Sequence, residues 1–127
     1  MSLLKSTGIA TLLAAGMLAS ALAQAHPKLV SSTPAQGADG AAPEKVELHF
    51  SENLVTQFSG AKLIMTDMPG MPNSPMPVKA SVAAGSDPKT MVITPASPLT
   101  TGSYKVEWRA VSSDTHPITG NVTFKVK

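Results

Sequence analysis

The chain has 127 residues, with ten Lys and Arg against eight Asp and Glu, a formal net charge of +2, and no cysteine. The near balance of charge and the lack of a basic run argue against nucleic-acid binding. Without thiols the protein can form no disulfide, zinc ribbon or iron–sulfur cluster, and it cannot build the thiolate site of a blue-copper protein.

The first 25 residues carry the three parts of a secretory signal peptide. A short basic region ending at Lys5 precedes an apolar run of about 15 residues, and Ala23-Gln24-Ala25 then supplies a small-x-small cleavage site. The apolar run is shorter than the roughly 20 residues that a membrane-spanning helix needs. We therefore expect cleavage after Ala25, a single domain over 26–127 without a membrane span, and residence in a bacterial periplasm.

The rest of the sequence predicts short β-strands, because apolar and polar residues alternate in several segments. The apolar positions are Val46, Leu48 and Phe50; Ala61, Leu63 and Met65; Val78, Ala80 and Val82; Met91 and Ile93; Tyr104, Val106, Trp108 and Ala110; and Ile118, Gly120, Val122, Phe124 and Val126. With Lys28 to Thr33 in front, about seven strands result, separated by turn-rich segments at 33–43, 69–77, 85–88 and 95–102. The prediction is an all-β, Greek-key barrel or sandwich of immunoglobulin-like kind, with a cupredoxin-like topology as a variant.

Cleavage after Ala25 would make His26 the first residue of the mature protein. Its α-amine and ring Nδ1 could then hold one metal ion together, a chelate that no internal histidine can form. The next residue, Pro27, has no backbone N–H, so the peptide nitrogen cannot become a further ligand. The rest of the chain would have to complete the site.

Asp114 and His116 are the best candidates to complete it. They lie in a polar loop between the two strongest predicted strands, and in an extended segment residues two apart project from the same face. One amine, two imidazoles and a carboxylate suit Cu(II) in a tetragonal arrangement. The plain alternative is a turn-stabilising carboxylate beside a solvated histidine.

Glu52 and His49 lie at the end of the first strong strand. For Glu52 we expect a position near the Cu(II) site or a weak axial contact, against the alternative of a solvated acid. His49 falls on the polar face of its strand. It could be a ligand, a partner that orients a ligand, or a simple exposed residue, and the sequence leaves these three open.

A second cluster is rich in methionine. Met65, Met68, Met71 and Met76 fall within twelve positions, most of them in a Pro-rich loop where strand alternation does not explain apolar residues. Methionine often fills gaps in cores, and Met65 could do only that. Thioether sulfur is soft and prefers Cu(I), so this loop predicts a Cu(I) site, with a sticky partner-binding loop as the alternative.

The mature chain resembles the CopC/PcoC family of periplasmic copper-resistance proteins along its whole length. The resemblance is carried by His26-Pro27, by the segment His49-Phe50-Ser51-Glu52-Asn53-Leu54, by the methionine loop and by the long segment from Trp108 to Gly120. It implies a small Greek-key β-barrel with separate sites for the two oxidation states of copper.

Carried over by position, the resemblance implies Cu(II) ligands at His26, Asp114 and His116, with Glu52 nearby, and Cu(I) among the four clustered methionines. Members of the family can carry a histidine in the methionine loop, where this chain has Asn73. The Cu(I) site expected here is therefore all-thioether, and which three methionines bind is left open.

These expectations describe a periplasmic copper carrier or buffer that is not an enzyme. Its expected partners are copper ions, a copper-handling inner-membrane protein and a periplasmic multicopper oxidase. One alternative is a copper mono-oxygenase, since such enzymes also use an N-terminal histidine on a β-sandwich, although the few aromatic residues here leave little for a substrate platform. The other alternative is a β-sandwich binding module without copper.

Overall fold

The computed structural model describes residues 26–71 and 75–127. The predicted signal peptide, residues 1–25, lies outside the described residues, and so does Asn73. In the described part of the chain, no helix has the length and apolar character needed to cross a bilayer.

Within these residues the fold is all-β, as predicted, and consists of two packed sheets. The strands are β1 (Leu29–Thr33), β2 (Ala38–Gly40), β3 (Val46–Phe50), β4 (Gly60–Asp67), β5 (Met76–Val78), β6 (Ala80–Ala84), β7 (Thr90–Pro95), β8 (Gly102–Val111) and β9 (Pro117–Val126). One sheet has the order β1-β3-β7-β6, and the other has the order β2-β9-β8-β4-β5.

The core lies between the two sheets and is built from the alternating apolar positions of the sequence. In β3 the buried residues Val46, Leu48 and Phe50 alternate with half-buried polar ones, and β8 and β9 show the same period. The ring of Trp108 meets that of Phe50 edge-on, with centroids 5.1 Å apart, a favoured geometry for aromatic pairs. The predicted inward faces of the long strands are confirmed.

The count of strands differs from the prediction, because two of the nine contain three residues each. β2 lies in a segment predicted as a turn, and it pairs in parallel with the end of β9. The side chain of Gln36 fixes this pairing: its Oε1 accepts from Thr123 N at 2.9 Å and its Nε2 donates to Thr123 Oγ1 at 2.7 Å. Such a pairing depends on residues far along the chain, so local alternation does not reveal it.

The run Val78, Ala80 and Val82, predicted as one strand, is divided between the sheets. β5 pairs with β4 and β6 pairs with β7, so the chain changes sheets at Lys79. Val82 is 38% exposed. Alternation gives the faces of a strand but not its neighbours, and the prediction of a single strand here is wrong.

Candidate metal centre

The segment that carries His26 is tied to the end of β3. Lys28 N donates to Ser51 Oγ at 2.9 Å, and Ser51 N donates to the Lys28 carbonyl at 2.9 Å. Pro27 is among the fully buried side chains. A buried proline and two hydrogen bonds therefore fix the position of His26, whose own side chain remains half exposed.

The loop that carries Asp114 and His116 joins β8 to β9. Ser112 is buried, and its carbonyl accepts a hydrogen bond from Thr115 N at 2.9 Å, which closes a tight turn. Thr115 has a φ of 66°, a left-handed conformation that is unfavourable for a β-branched residue. Strain of this kind is concentrated at functional sites.

The turn also corrects the prediction for this loop. The segment is not extended, so Asp114 and His116 do not share a face through a period of two. They meet because the chain turns at Thr115 and Asp114 Oδ1 accepts from His116 N at 3.1 Å, an Asx turn. Oδ1 also accepts from Ser112 Oγ at 3.1 Å.

His26, Asp114 and His116 come together at one end of the sandwich. Nδ1 of His26 lies 2.5 Å from Asp114 Oδ2, and Nδ1 of His116 lies 3.8 Å from the same oxygen. The two imidazole rings are 5.6 Å apart between centroids. One ligand atom from each residue falls within 4.8 Å of the others. This spacing suits a single ion, since transition-metal bonds to such atoms are about 2 Å long.

The two oxygens of Asp114 have different surroundings. Oδ1 accepts two hydrogen bonds, whereas Oδ2 is buried and contacts the ring nitrogens of His26 and His116. Nδ1 of His26 can donate to the carboxylate when it carries a proton. A buried carboxylate oxygen that depends on one neighbouring proton is costly when that proton is absent, and a bound cation would satisfy it. The donor set thus fits a divalent metal ion.

The charge state of Asp114 also favours a cation. Desolvation of its carboxyl raises the pKa, but the hydrogen bonds from His116 N and Ser112 and the proximity of His26 outweigh that effect. The pKa of Asp114 therefore lies below its ordinary value. The carboxylate is ionised throughout the neutral range and needs no deprotonation before it binds metal.

Glu52 is next in sequence to Ser51, which helps to hold the segment of His26, but Glu52 is not part of the cluster. Glu52 is half-buried. Its carboxylate is not in the group of ligand atoms within 4.8 Å.

His49 is outside the group as well. It lies on the outer face of the four-stranded sheet and contacts Thr90 and Glu47 instead.

The backbone brings the methionines together in two pairs. Met71 N donates to the Met68 carbonyl at 2.9 Å, and Gly70 between them has a φ of 81°. Pro69 followed by a left-handed Gly70 is typical of a type II turn. Met65 and Met76 face each other across β4 and β5.

The four side chains differ in their availability. Met71 is 51% and Met76 45% exposed. Met68 is partly buried against the core, and Met65 is 5% exposed. A Cβ at Gly102 would fall 2.6 Å from Met65 Cε, so this side chain fills the space over Gly102 and has a packing role.

The two clusters lie at opposite ends of β8. Ser103 near its start pairs with Asp67, next to the methionine turn, and Val111 at its end leads into the Asp114 loop. At about 3.3 Å per residue, this strand of ten residues spans about 30 Å. One copper ion cannot contact both clusters at once.

The fold and the two clusters together define a class of protein. It is a β-sandwich without cysteine. One end carries a histidine–aspartate group that could hold a metal ion, and the other end carries a methionine turn. The chain belongs to the CopC family, since residues 29–127 match the CopC domain.

Two similar proteins agree with this membership. Copper resistance protein C of Pseudomonas syringae pv. tomato is 80% identical over 125 residues, which cover 98% of this chain and 99% of the relative. Copper resistance protein C of Escherichia coli is 65% identical over 106 residues, or 83% of this chain and 84% of the relative.

Solved structures show the same fold. The crystal structure of PcoC, a methionine-rich copper resistance protein from Escherichia coli, has a TM-score of 0.76 at 64% identity and covers 81% of this chain and 100% of its own. CopC from Methylosinus trichosporium OB3b has a TM-score of 0.64 at 27% identity and covers 80% of this chain and 94% of its own.

Proposed function

We propose that this protein is a periplasmic copper carrier or buffer that acts in copper resistance and holds Cu(II) and Cu(I) at different ends of one β-sandwich. Membership of the CopC family and relatives named copper resistance proteins support the copper-handling part. The observation that carries the site is the convergence of His26, Asp114 and His116 around a buried carboxylate oxygen.

The Cu(II) ligands in this proposal are the α-amine and ring of His26, a carboxylate oxygen of Asp114 and the ring of His116. Nitrogen and oxygen donors of this kind suit Cu(II), which outcompetes the other divalent first-row ions at them. Glu52 has an outer role, near the site or in a weak axial contact. The α-amine is available only if the chain is cleaved after Ala25.

The Cu(I) ligands in this proposal come from Met65, Met68, Met71 and Met76. The side chains of Met71 and Met76 support it, because both are about half exposed and their packing into the core does not explain them. Met68 lies across the turn from Met71. Met65 packs in the core and would contribute only from its inner position.

Each cluster is matched to one oxidation state, so a change in the charge of copper changes which donors it prefers. Oxidation should drive the ion from thioether to nitrogen and oxygen donors, and reduction should reverse the preference. Since about 30 Å of strand separates the clusters, transfer between molecules is favoured over transfer within one. Partners consistent with this role are a copper-handling inner-membrane protein and a periplasmic multicopper oxidase.

The decisive experiment measures both oxidation states on the secreted protein. Mass spectrometry should find His26 as the first residue, and titration should give one Cu(II) and one Cu(I) per chain. Replacement of His116 by alanine should remove Cu(II) alone. If neither ion binds at micromolar concentration, the carrier proposal is wrong. Oxygen consumption with a reductant and a polysaccharide tests the mono-oxygenase alternative, and robust turnover would favour it.

A further inference from the structure

His49 takes no part in the proposed copper sites, yet its ring is held in one orientation by neighbouring strands. It projects from the outer face of β3, between the buried Leu48 and Phe50, and is paired with Thr90 of β7. Nδ1 of His49 lies 3.0 Å from Thr90 Oγ1. Thr90 is 5% exposed and therefore fixed.

The direction of that hydrogen bond follows from the next residue in the network. Thr90 Oγ1 donates to the carboxylate of Asp87, whose two oxygens lie 3.1 and 3.2 Å away. A hydroxyl has one hydrogen, so Thr90 can only accept from His49. The proton of the neutral imidazole is thus on Nδ1, and the lone pair is on Nε2.

Nε2 of His49 lies near a second atom that can bind a metal ion, a carboxylate oxygen of Glu47. Glu47 lies two residues earlier on the same face of β3, and its Oε2 is 3.6 Å from Nε2. That distance is too long for a good hydrogen bond. Two ligand atoms bound to the same tetrahedral Zn(II) at about 2.0–2.2 Å lie about 3.4 Å from each other. The observed distance between Nε2 and Oε2 therefore needs little change to hold an ion.

We propose that Glu47 and His49 form a second, weaker binding site for a divalent transition-metal ion such as Zn(II) or Cu(II), on the outer face of the four-stranded sheet. An imidazole nitrogen and a carboxylate oxygen supply two ligands, and water completes the coordination. The chain Asp87–Thr90–His49 supplies the support that metal-binding histidines usually have, a hydrogen-bond acceptor on the other ring nitrogen. The site is separate from the proposed carrier sites.

One neighbouring charge competes with the ion. Lys45 Nζ lies 3.2 Å from Glu47 Oε1, and its side chain is 57% exposed. The ammonium group neutralises part of the carboxylate charge, so affinity should be low. Removal of that lysine should therefore raise the affinity for the metal ion.

The test uses the chain 26–127 with His26→Ala, Asp114→Asn and His116→Ala, which removes the terminal chelate and the cluster around it and leaves His49 as the one histidine. Zn(II) is added while the ring resonances of the protein are followed by NMR. We expect those of His49 to shift and saturate. Glu47→Gln should weaken this binding at least several-fold, whereas Lys45→Ala should tighten it by about 1.5- to 5-fold, the range expected for one exposed ion pair.

Two controls make the result specific. Lys62→Ala removes a lysine from the other sheet and should leave the Zn(II) affinity unchanged. His49→Gln should keep the near-ultraviolet circular dichroism of the fold and abolish the saturable Zn(II) binding measured by calorimetry. The proposal is overturned if His49 does not shift at millimolar Zn(II), if Glu47→Gln binds as tightly as its parent, or if Lys45→Ala has no effect.

Discussion

Nδ1 of His26 lies 2.5 Å from the buried Oδ2 of Asp114. The two residues lie near opposite ends of the segment 26–127 and meet because β1 and the β8–β9 loop reach the same end of the sandwich. An imidazole and a carboxylate held together in this way can share a proton or a metal ion.

Extension of the chain 26–127 by one residue before His26 should weaken Cu(II) binding by orders of magnitude. The extra residue removes the α-amine from the chelate but leaves the imidazole and the sandwich unchanged. Competition titration against a chelator of known affinity provides the measurement, and Cu(I) binding of the same protein is the control. Equal Cu(II) affinity with and without the extension would refute the role of the terminal amine.

Asp114→Asn should lower Cu(II) affinity while the fold persists. Asparagine keeps the shape and can still accept hydrogen bonds from Ser112 and His116, but it removes the charge that faces His26. Ser113→Ala, an exposed neighbour in the same loop, should bind Cu(II) as tightly as the parent. The proposed site would be contradicted by an Asp114→Asn protein with unaltered affinity.

The metal-free protein should lose stability on acidification partly through Asp114. Its pKa is lower in the fold than in the unfolded chain, where an aspartate titrates at about 3.9, so its contribution to stability is complete above that value. The contribution is lost as the pH falls through the folded pKa. Urea unfolding between about pH 5 and pH 2 should show a shallower loss for Asp114→Asn. Parallel curves for the two proteins would contradict the depressed pKa.

Replacement of Met68 and Met71 by leucine should abolish Cu(I) binding and spare Cu(II). Leucine matches methionine in volume, so the cost in unfolding free energy should be below about 1.5 kcal/mol per site. Met91→Leu is the matched control, because Met91 is buried in the core at 3% exposure and should bind Cu(I) normally. Cu(I) titration with a colorimetric competitor under anaerobic conditions makes the comparison.

Gly120→Ala should destabilise the sandwich by about 1–3 kcal/mol, the usual cost of an overpacked core. A Cβ at Gly120 would run into the six-membered ring of Trp108, its neighbour across β8 and β9. Gly60→Ala is the control, because a Cβ there meets nothing within 4 Å. Urea unfolding followed by Trp108 fluorescence measures both variants, and equal midpoints would show that Trp108 moves aside freely.

The sequence by itself determined the inner faces of the long strands, because a period of two is a local property that burial imposes on each strand separately. Leu48 in β3 and Val106 in β8 are both fully buried, as their alternation predicts. Composition likewise limited the possible metal ligands, since a chain with no thiol and with clustered methionines can supply only a few combinations of ligand atoms.

Only the tertiary structure decided which residues meet. The pairing of β2 with β9 and the change of sheet at Lys79 depend on contacts between distant segments. The same contacts leave Glu52 and His49 outside the group formed by His26, Asp114 and His116. Distances between side chains arise from long-range packing, which no local pattern in the sequence encodes.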